Sequence, residues 1–433
     1  MNFIVIWFFM LGTCAVSVTS AFCYWNTGCP YKYFSSITSY NTVRGDIRDS
    51  LVKFNGCEPI SIWGLYRHGK KYPTTDLANK LKKALVIRDY IMTSYSKGKC
   101  SLCAQDVDNL HDWSIDNNMF ERANVLSDEG RKEFVGIGRR LKQAFPKLLA
   151  NINEGSYTVG AASASWIKDS AESFIAGLKK GLTIKQVNDN IVPPYEKCNE
   201  YLNEVKNNPN TYIEIDKYMT TADYLAVKDR IQRRLGIEYT LTNDNITSLY
   251  ELCRYVWSGD NKISPWCAVF TTQDLQVLEY IGDLRTYYES GYGTPVNELF
   301  GRITLNNLLK SFQEAKDGKG KKLTTYFTDD STLDMVYTAL GIFKDKSSLT
   351  STLRDPERKW RSSKTSILSG NLVAVLYRFV KYTLYIYNIV VLYVNEEPIR
   401  SICVGGVCSW TELEDKLNSW TNTTIDFCGL QLL

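Results

Sequence analysis

His68 and His111 are the only histidines in the 433 residues, and only His68 stands beside residues that could use an imidazole. It lies in Arg67-His68-Gly69-Lys70-Lys71-Tyr72-Pro73, directly after a strand-like run, Ile60-Ser61-Ile62-Trp63-Gly64-Leu65-Tyr66. A guanidinium and an imidazole at a strand end, just before a helix, meet backbone N–H groups and a helix N-terminus, and that combination suits a phosphate. His111-Asp112 falls in an early helical region and reads as a surface or capping histidine. Cys100-Ser101-Leu102-Cys103 lacks the second cysteine pair or the histidines of a zinc site, so it reads as structural, and neither metal nor organic cofactor is expected.

The elements that must position His68 follow from periodicity. Residues 77–95 read as a helix with Leu77, Leu81, Leu85 and Met92 between charged residues. Residues 126–145 read as another, entered through Ser127, with Phe134, Ile137, Leu141 and Phe145 on one face and Pro146 as its stop. A strand over 156–159 leads through a loop, 160–168, into a helix from Asp169 whose Ala171, Phe174, Ile175 and Leu178 keep helical spacing. Strand, loop, helix places that loop at the carboxyl edge of a sheet, where doubly wound α/β folds bind ligands. Residues 183–320 are polar and helix-rich, as an inserted helical cap would be. A strand over 323–328 and a turn at Asp329-Asp330-Ser331 precede a helix capped by Thr332 and ended by Gly341.

Composition narrows the class. Charged residues are 23% and hydrophobic ones 44%, the balance of a globular chain. A net charge of +4, with no long basic run, gives no ground for a nucleic-acid partner. Residues 1–21 read as a secretory signal, apolar and then small at Thr19-Ser20-Ala21. Of 12 cysteines, its removal takes Cys14 and leaves eleven, so one thiol stays free or pairs between chains. Cys253 with Cys267 and Cys403 with Cys408 read as local disulfides, and Cys23, Cys29 and Cys57 as pins for the N-terminal segment. Sequons at Asn245 and Asn422 agree with a secreted or lumenal glycoprotein. Residues 372–394 are long enough to span a bilayer, but Arg378, Lys381 and Asn388 interrupt them; two core strands are expected and no transmembrane span.

The opening motif resembles the Arg-His-Gly-x-Arg-x-Pro signature of the histidine acid phosphatases, and its Tyr72-Pro73-Thr74 tail is similar to the multiple inositol polyphosphate phosphatase branch. Ser264-Pro265-Trp266-Cys267-Ala268-Val269-Phe270-Thr271, Leu278-Glu279-Tyr280, Tyr287-Tyr288-Glu289-Ser290-Gly291-Tyr292-Gly293 and Leu340-Gly341-Ile342-Phe343-Lys344-Asp345-Lys346 resemble the same branch. The resemblance implies an α/β histidine-phosphatase fold, a mostly parallel sheet flanked by helices with an inserted all-helical cap domain. Residues 22–182 and 321–433 would form the phosphatase-like domain and 183–320 the cap.

It also implies roles, and here the chain departs from the pattern. His68 matches the nucleophile and Arg67 the first phosphate clamp; Lys70 adds charge, and the second clamp falls on Lys71, which keeps a charge but loses the bidentate fork. Gly160 and Trp166 stand where the family carries further arginines. Asp329, Asp330 and Ser331 stand on its His-Ala-Glu, so the phosphate-contacting histidine becomes a carboxylate and the proton donor a hydroxyl. An anion about 4 Å from a phosphate costs roughly 4 kcal/mol at an effective dielectric of about 20. The implied reading is a secreted inositol polyphosphate phosphatase-like protein, impaired or inactive, that binds an inositol polyphosphate or another polyanionic small molecule. The alternative is a working phosphatase with Asp330 as a shifted donor.

Overall fold

The computed structural model describes residues 30–114, 116–187, 192–257, 263–379, 387–418 and 423–428. The expected signal at 1–21, Cys23, Cys29, Asn422 and most of the aromatic run at 380–386 lie outside these residues.

Among the described residues, eight strands form one sheet: β1 (Cys57–Arg67), β2 (Tyr157–Ala161), β3 (Lys185–Gln186), β4 (Leu323–Thr328), β5 (Asn371–Phe379), β6 (Asn388–Val394), β7 (Glu397–Pro398) and β8 (Cys408–Ser409). Their order is β3-β2-β4-β1-β5-β6-β7, with β8 also on β6. β1, β2, β3 and β4 run parallel, whereas β5 to β8 join antiparallel, so the sheet is mixed rather than mostly parallel. The physical reason for β5 and β6 is the separation along the chain: only residues 380–387 lie between them, too few for the crossover that a parallel pair needs.

β1 is buried on both faces. Ile62 and Tyr66 enter the core under the helices Asp128–Ala144 and Ser165–Leu178, while Trp63 and Leu65 enter the opposite core under Val296–Lys316, Asp330–Leu340 and Trp410–Asn418. That alternation is the two-residue strand period applied to a strand with helices on either side. Gly64 leaves space for the Tyr66 ring, which a Cβ there would meet at 2.6 Å. A third apolar cluster unites the helices Thr75–Ala84 and Val86–Ser96 with Ala222–Leu235, Asn243–Val256 and Thr272–Glu289. The stretch 183–320 thus feeds several layers: Lys185–Gln186 is a sheet edge, and Val296–Lys316 packs on β1 and on Asp330–Leu340.

Several element boundaries differ from the sequence expectation. The helix expected over 77–95 is two, because the Leu85 N–H bonds back three residues to Lys82 instead of four. The helix expected from Asp169 begins at Ser165, so Trp166 and Lys168 lie in its first turn. Pro146 starts a new short helix, Pro146–Ala150, at the position where its missing N–H is harmless. The cap of Asp330–Leu340 is Asp329, whose Oδ1 accepts from the Thr332 N–H at 2.9 Å; Thr332 itself is inside the helix. Gly341 ends that helix in the left-handed region, as expected.

The disulfides Cys253–Cys267 and Cys403–Cys408 are formed, and a third, Cys198–Cys428, was not legible in the spacing because it closes 230 residues. Cys103 is disulfide-bonded. Cys57 is a free thiol, which corrects its reading as a pin; the backbone of β1 holds that end instead. Asn245 serves the capping box of its helix with Thr242. No helix among the described residues is long and apolar enough to cross a membrane.

Candidate active site

The parallel register sets the site. Arg67 is level with Thr328, and Ala161 with Phe327, so the chain leaves β1, β4 and β2 at one sheet edge. Three segments meet there: the His68 loop, the first turn of Ser165–Leu178 and the first turn of Asp330–Leu340.

The His68 loop is held by its backbone. The His68 N–H donates to the Thr328 carbonyl at 2.9 Å, and the Ser369 N–H donates to the His68 carbonyl at 3.0 Å. The Gly69 N–H donates to Ser170 Oγ at 3.1 Å. The Ser127 N–H then bonds the Lys70 carbonyl and the Tyr72 N–H bonds that of Val125. This stitching brings Gly69 against Gly130, and a Cβ on Gly130 would sit 2.6 Å from the Lys70 carbonyl, so the helix could not approach with a larger residue.

His68 is buried, and its Nδ1 lies 2.8 Å from the Gly69 carbonyl. A carbonyl only accepts, so Nδ1 carries the hydrogen and Nε2 keeps its lone pair. Burial, followed by the Arg67 charge, lowers the imidazole pKa to about 3. The ring is therefore a neutral base at ordinary pH, which is the state a nucleophile requires.

Arg67 is buried as well, but its guanidinium is engaged. Nη1 donates to the carbonyls of Ser36 and Ser366, and Nη2 pairs with Asp330 Oδ2 at 3.1 Å. Lys71 Nζ donates to Asn124 Oδ1 and lies 4.8 Å from the Trp166 ring centre. Burial and the Arg67 charge lower its pKa, against the pull of Asp330. Trp166 also meets His68 edge-on, with ring centres 6.4 Å apart.

Asp329 and Asp330 differ in use. Asp329 caps the helix through Oδ1 and accepts from the Tyr195 hydroxyl through Oδ2; burial, then Asp330, raises its pKa. For Asp330, burial is the largest influence and acts upward, but Arg67, His68 and the N–H groups of Asp330 and Ser331 together hold its carboxyl below the usual range. Ser331 follows in the first turn, half-buried.

The structure thus gathers Arg67, His68, Lys71, Trp166 and Asp330, with Asp329 adjacent. Two sequence candidates stand apart. Lys70 pairs with Glu129 at 2.9 Å and donates to the Trp257 carbonyl. Gly160 lies within β2, where a Cβ would meet Val187 and Tyr326. His111 is exposed beside Asp112. The sequence reading missed Glu133, which accepts from Ser39 Oγ and Ser369 Oγ; an acid on the apolar face between Phe134 and Ser127 was the available signal. Ser170 and Ser369 carry no such signal, because a serine's type does not show that Ser170 Oγ accepts from the Gly69 N–H or that the Ser369 N–H holds the His68 carbonyl.

The family model for the histidine phosphatase superfamily (branch 2) matches residues 61–385. The multiple inositol polyphosphate phosphatase 1 of Drosophila melanogaster is 27% identical over 403 residues, 89% of this chain and 84% of that one. The human protein of that name is 26% identical over 382 residues, 80% of this chain and 77% of that one. Among solved structures, the phytase from D. castellii superposes with a TM-score of 0.73 at 17% identity, over 93% of this chain and 88% of that one. The Bifidobacterium longum multiple inositol polyphosphate phosphatase in complex with inositol hexasulfate gives 0.68 at 16% identity, over 90% and 98%. These two share the fold.

Proposed function

The chain belongs to branch 2 of the histidine phosphatase superfamily, on the side of the multiple inositol polyphosphate phosphatases, and from that premise we propose that it is an impaired phosphomonoesterase that binds a phosphate-bearing anion. The observation that carries this reading is the Arg67–Asp330 ion pair. The guanidinium that would clamp a phosphoryl group is already neutralised by a carboxylate of its own chain. By the family resemblance the further arginine positions are Trp166, beside His68, and Gly160, within β2; the second clamp is Lys71 and the donor position is Ser331. Each missing contact to developing transition-state charge costs about 10² to 10³ in rate. The disulfides fit an oxidising compartment, consistent with the signal read at 1–21.

A second reading keeps catalysis, with His68 as nucleophile and Asp330 as donor. In its favour, the His68 lone pair is free and Asp330 shares its corner. Against it, a carboxyl held below the usual range has no proton to give to a leaving alkoxide.

Phosphate release from inositol hexakisphosphate separates the two. The expected result is a rate at least about 10³-fold below that of an intact relative, by the loss of these contacts, with His68→Ala changing the residue of activity less than about twofold. A brisk rate abolished by His68→Ala establishes the second reading.

A further inference from the structure

Beside Lys71 a cavity of 590 Å³ opens between the His68 loop, the start of the helix Asp128–Ala144 and the end of Asn243–Val256. We propose that this cavity takes an aryl phosphomonoester, with one phosphate at the Lys71 end and the ring among the aromatic walls, in preference to an inositol polyphosphate. The inference rests on the proposed anion-binding function and narrows its ligand.

The charge of the walls comes first. Lys70, Lys71 and Lys132 line the cavity, and so do Asp116, Asp128 and Glu129, three of each sign among the described residues. One of the cations, Lys70, is closed on Glu129. A ligand with phosphates around its whole ring needs cations on every side, and here Asp116 and Asp128 stand on the walls that its outer phosphates would approach. A single phosphate avoids them by lying at Lys71, which stands within reach of the Arg67 charge and rests on Trp166.

The second observation is the chemistry of the rest of the wall. Tyr72, Trp113 and Tyr255 line the same cavity, with Pro73, Met119, Val256 and Ile263 filling between them. Trp113 is fixed edge-on against the buried Trp266 at 5.6 Å, and Tyr72 lies under the Arg122 guanidinium at 5.6 Å. Held aromatic faces stack well on a planar ring and poorly on a polyhydroxylated one that is phosphorylated at each carbon.

Titration calorimetry on the full chain tests the ligand without turnover if phenylphosphonate is the probe, since its C–P bond is not hydrolysed by this chemistry. We expect phenylphosphonate to bind about tenfold more tightly than methylphosphonate, the scale of one aromatic pair. We also expect inositol hexakisphosphate to bind more weakly than phenylphosphonate at physiological salt. Tyr255→Ala should erase the phenyl advantage while leaving methylphosphonate within twofold. Independently of that aromatic residue, Asp116→Asn with Asp128→Asn, both exposed, should raise hexakisphosphate affinity at least about fivefold. Equal binding of the two phosphonates, hexakisphosphate as the tightest ligand, or hexakisphosphate affinity indifferent to the double substitution would each overturn the proposal. Brisk phosphate release with the phosphonate preference intact would overturn only the impaired-enzyme reading.

Discussion

Glu133 and Asp330 are two carboxyls that reach His68 by different routes. Glu133 accepts from Ser369 Oγ, and the Ser369 N–H holds the His68 carbonyl, so this acid stands behind the strand end and supports its backbone. Asp330 stands on the side-chain side, paired with Arg67. Burial is the largest influence on both and pushes both toward the neutral form, yet they part. Glu133 rises to about 7, with Glu129 adding to the rise, because it has hydroxyl donors and no guanidinium. Asp330 falls, because Arg67 outweighs its burial in concert with His68 and two backbone N–H groups. The backbone half of the site therefore holds a neutral imidazole, while the side-chain half sets a fixed negative charge against Arg67. A strand end held by main-chain bonds tolerates sequence change; a charge clamp does not.

The largest effect should come from removing the charge that distinguishes the two. Asp330→Asn leaves the first helical turn in place and frees Arg67 Nη2 for an incoming anion. Inorganic phosphate should then bind about 100-fold more tightly, roughly half of the bare Coulomb energy at an effective dielectric of about 20. Calorimetry at low ionic strength reads this directly. An unchanged affinity would mean that Arg67 is unavailable for another reason, its two carbonyl bonds to Ser36 and Ser366, and the contrast drawn above would fail.

The difference between the two halves also decides what was legible beforehand. β1, β4 and the helices Asp128–Ala144 and Asp330–Leu340 follow from apolar periodicity, Ser127 and Gly341, because burial and capping write themselves into residue type. The antiparallel half of the sheet departs from the mostly parallel sheet that the resemblance implies, and periodicity does not repair this, since it reports which face is buried and not which way a strand runs. The start of the helix at Ser165 was missed because its cap position, Ala164, offers no side-chain acceptor. In the site, Arg67 and His68 draw notice by their types at a strand end, and Asp330 only through the family resemblance. Their pairing was not readable: that Asp330 closes on Arg67 and that Lys70 turns to Glu129 depends on distances between segments more than fifty residues apart.

A smaller effect, on stability, follows from Glu133. Its folded pKa of about 7 lies above its ordinary 4.5. Between those values the folded chain keeps a proton that the unfolded chain has released, so this group's contribution to stability is full below about pH 4.5, declines as pH rises to about 7, and is flat beyond. The span corresponds to about 3 kcal/mol at most. Glu133→Gln should flatten that slope and, after the loss of one hydroxyl contact, stabilise the protein by about 2 kcal/mol at pH 8. Urea midpoints at pH 5 and pH 8 check it; a variant with the same slope as the parent would show that the acid is charged and that Glu133 and Asp330 do not differ.

The smallest effect tests whether the side-chain half of the site was kept for the fold. Asp329 stands where the family resemblance places a phosphate-contacting histidine, and it caps Asp330–Leu340 through Oδ1 while taking the Tyr195 hydroxyl on Oδ2. An aspartate here satisfies a helix end and a buried phenol at once, and neither task involves a ligand. Asp329→Asn retains an acceptor for the Thr332 N–H, so it should cost about 0.5 kcal/mol, whereas Asp329→Ala loses the cap and should cost about 1 to 2 kcal/mol. Phosphate affinity should rise in both variants by less than in Asp330→Asn, because Asp329 faces Tyr195 rather than Arg67. Urea midpoints of the two variants, measured beside phosphate titrations, decide the matter. If Asp329→Ala unfolds no more easily than Asp329→Asn while gaining phosphate affinity equal to Asp330→Asn, Asp329 belongs to the ligand side of the site, and the division between a scaffold half and a charge half is misplaced.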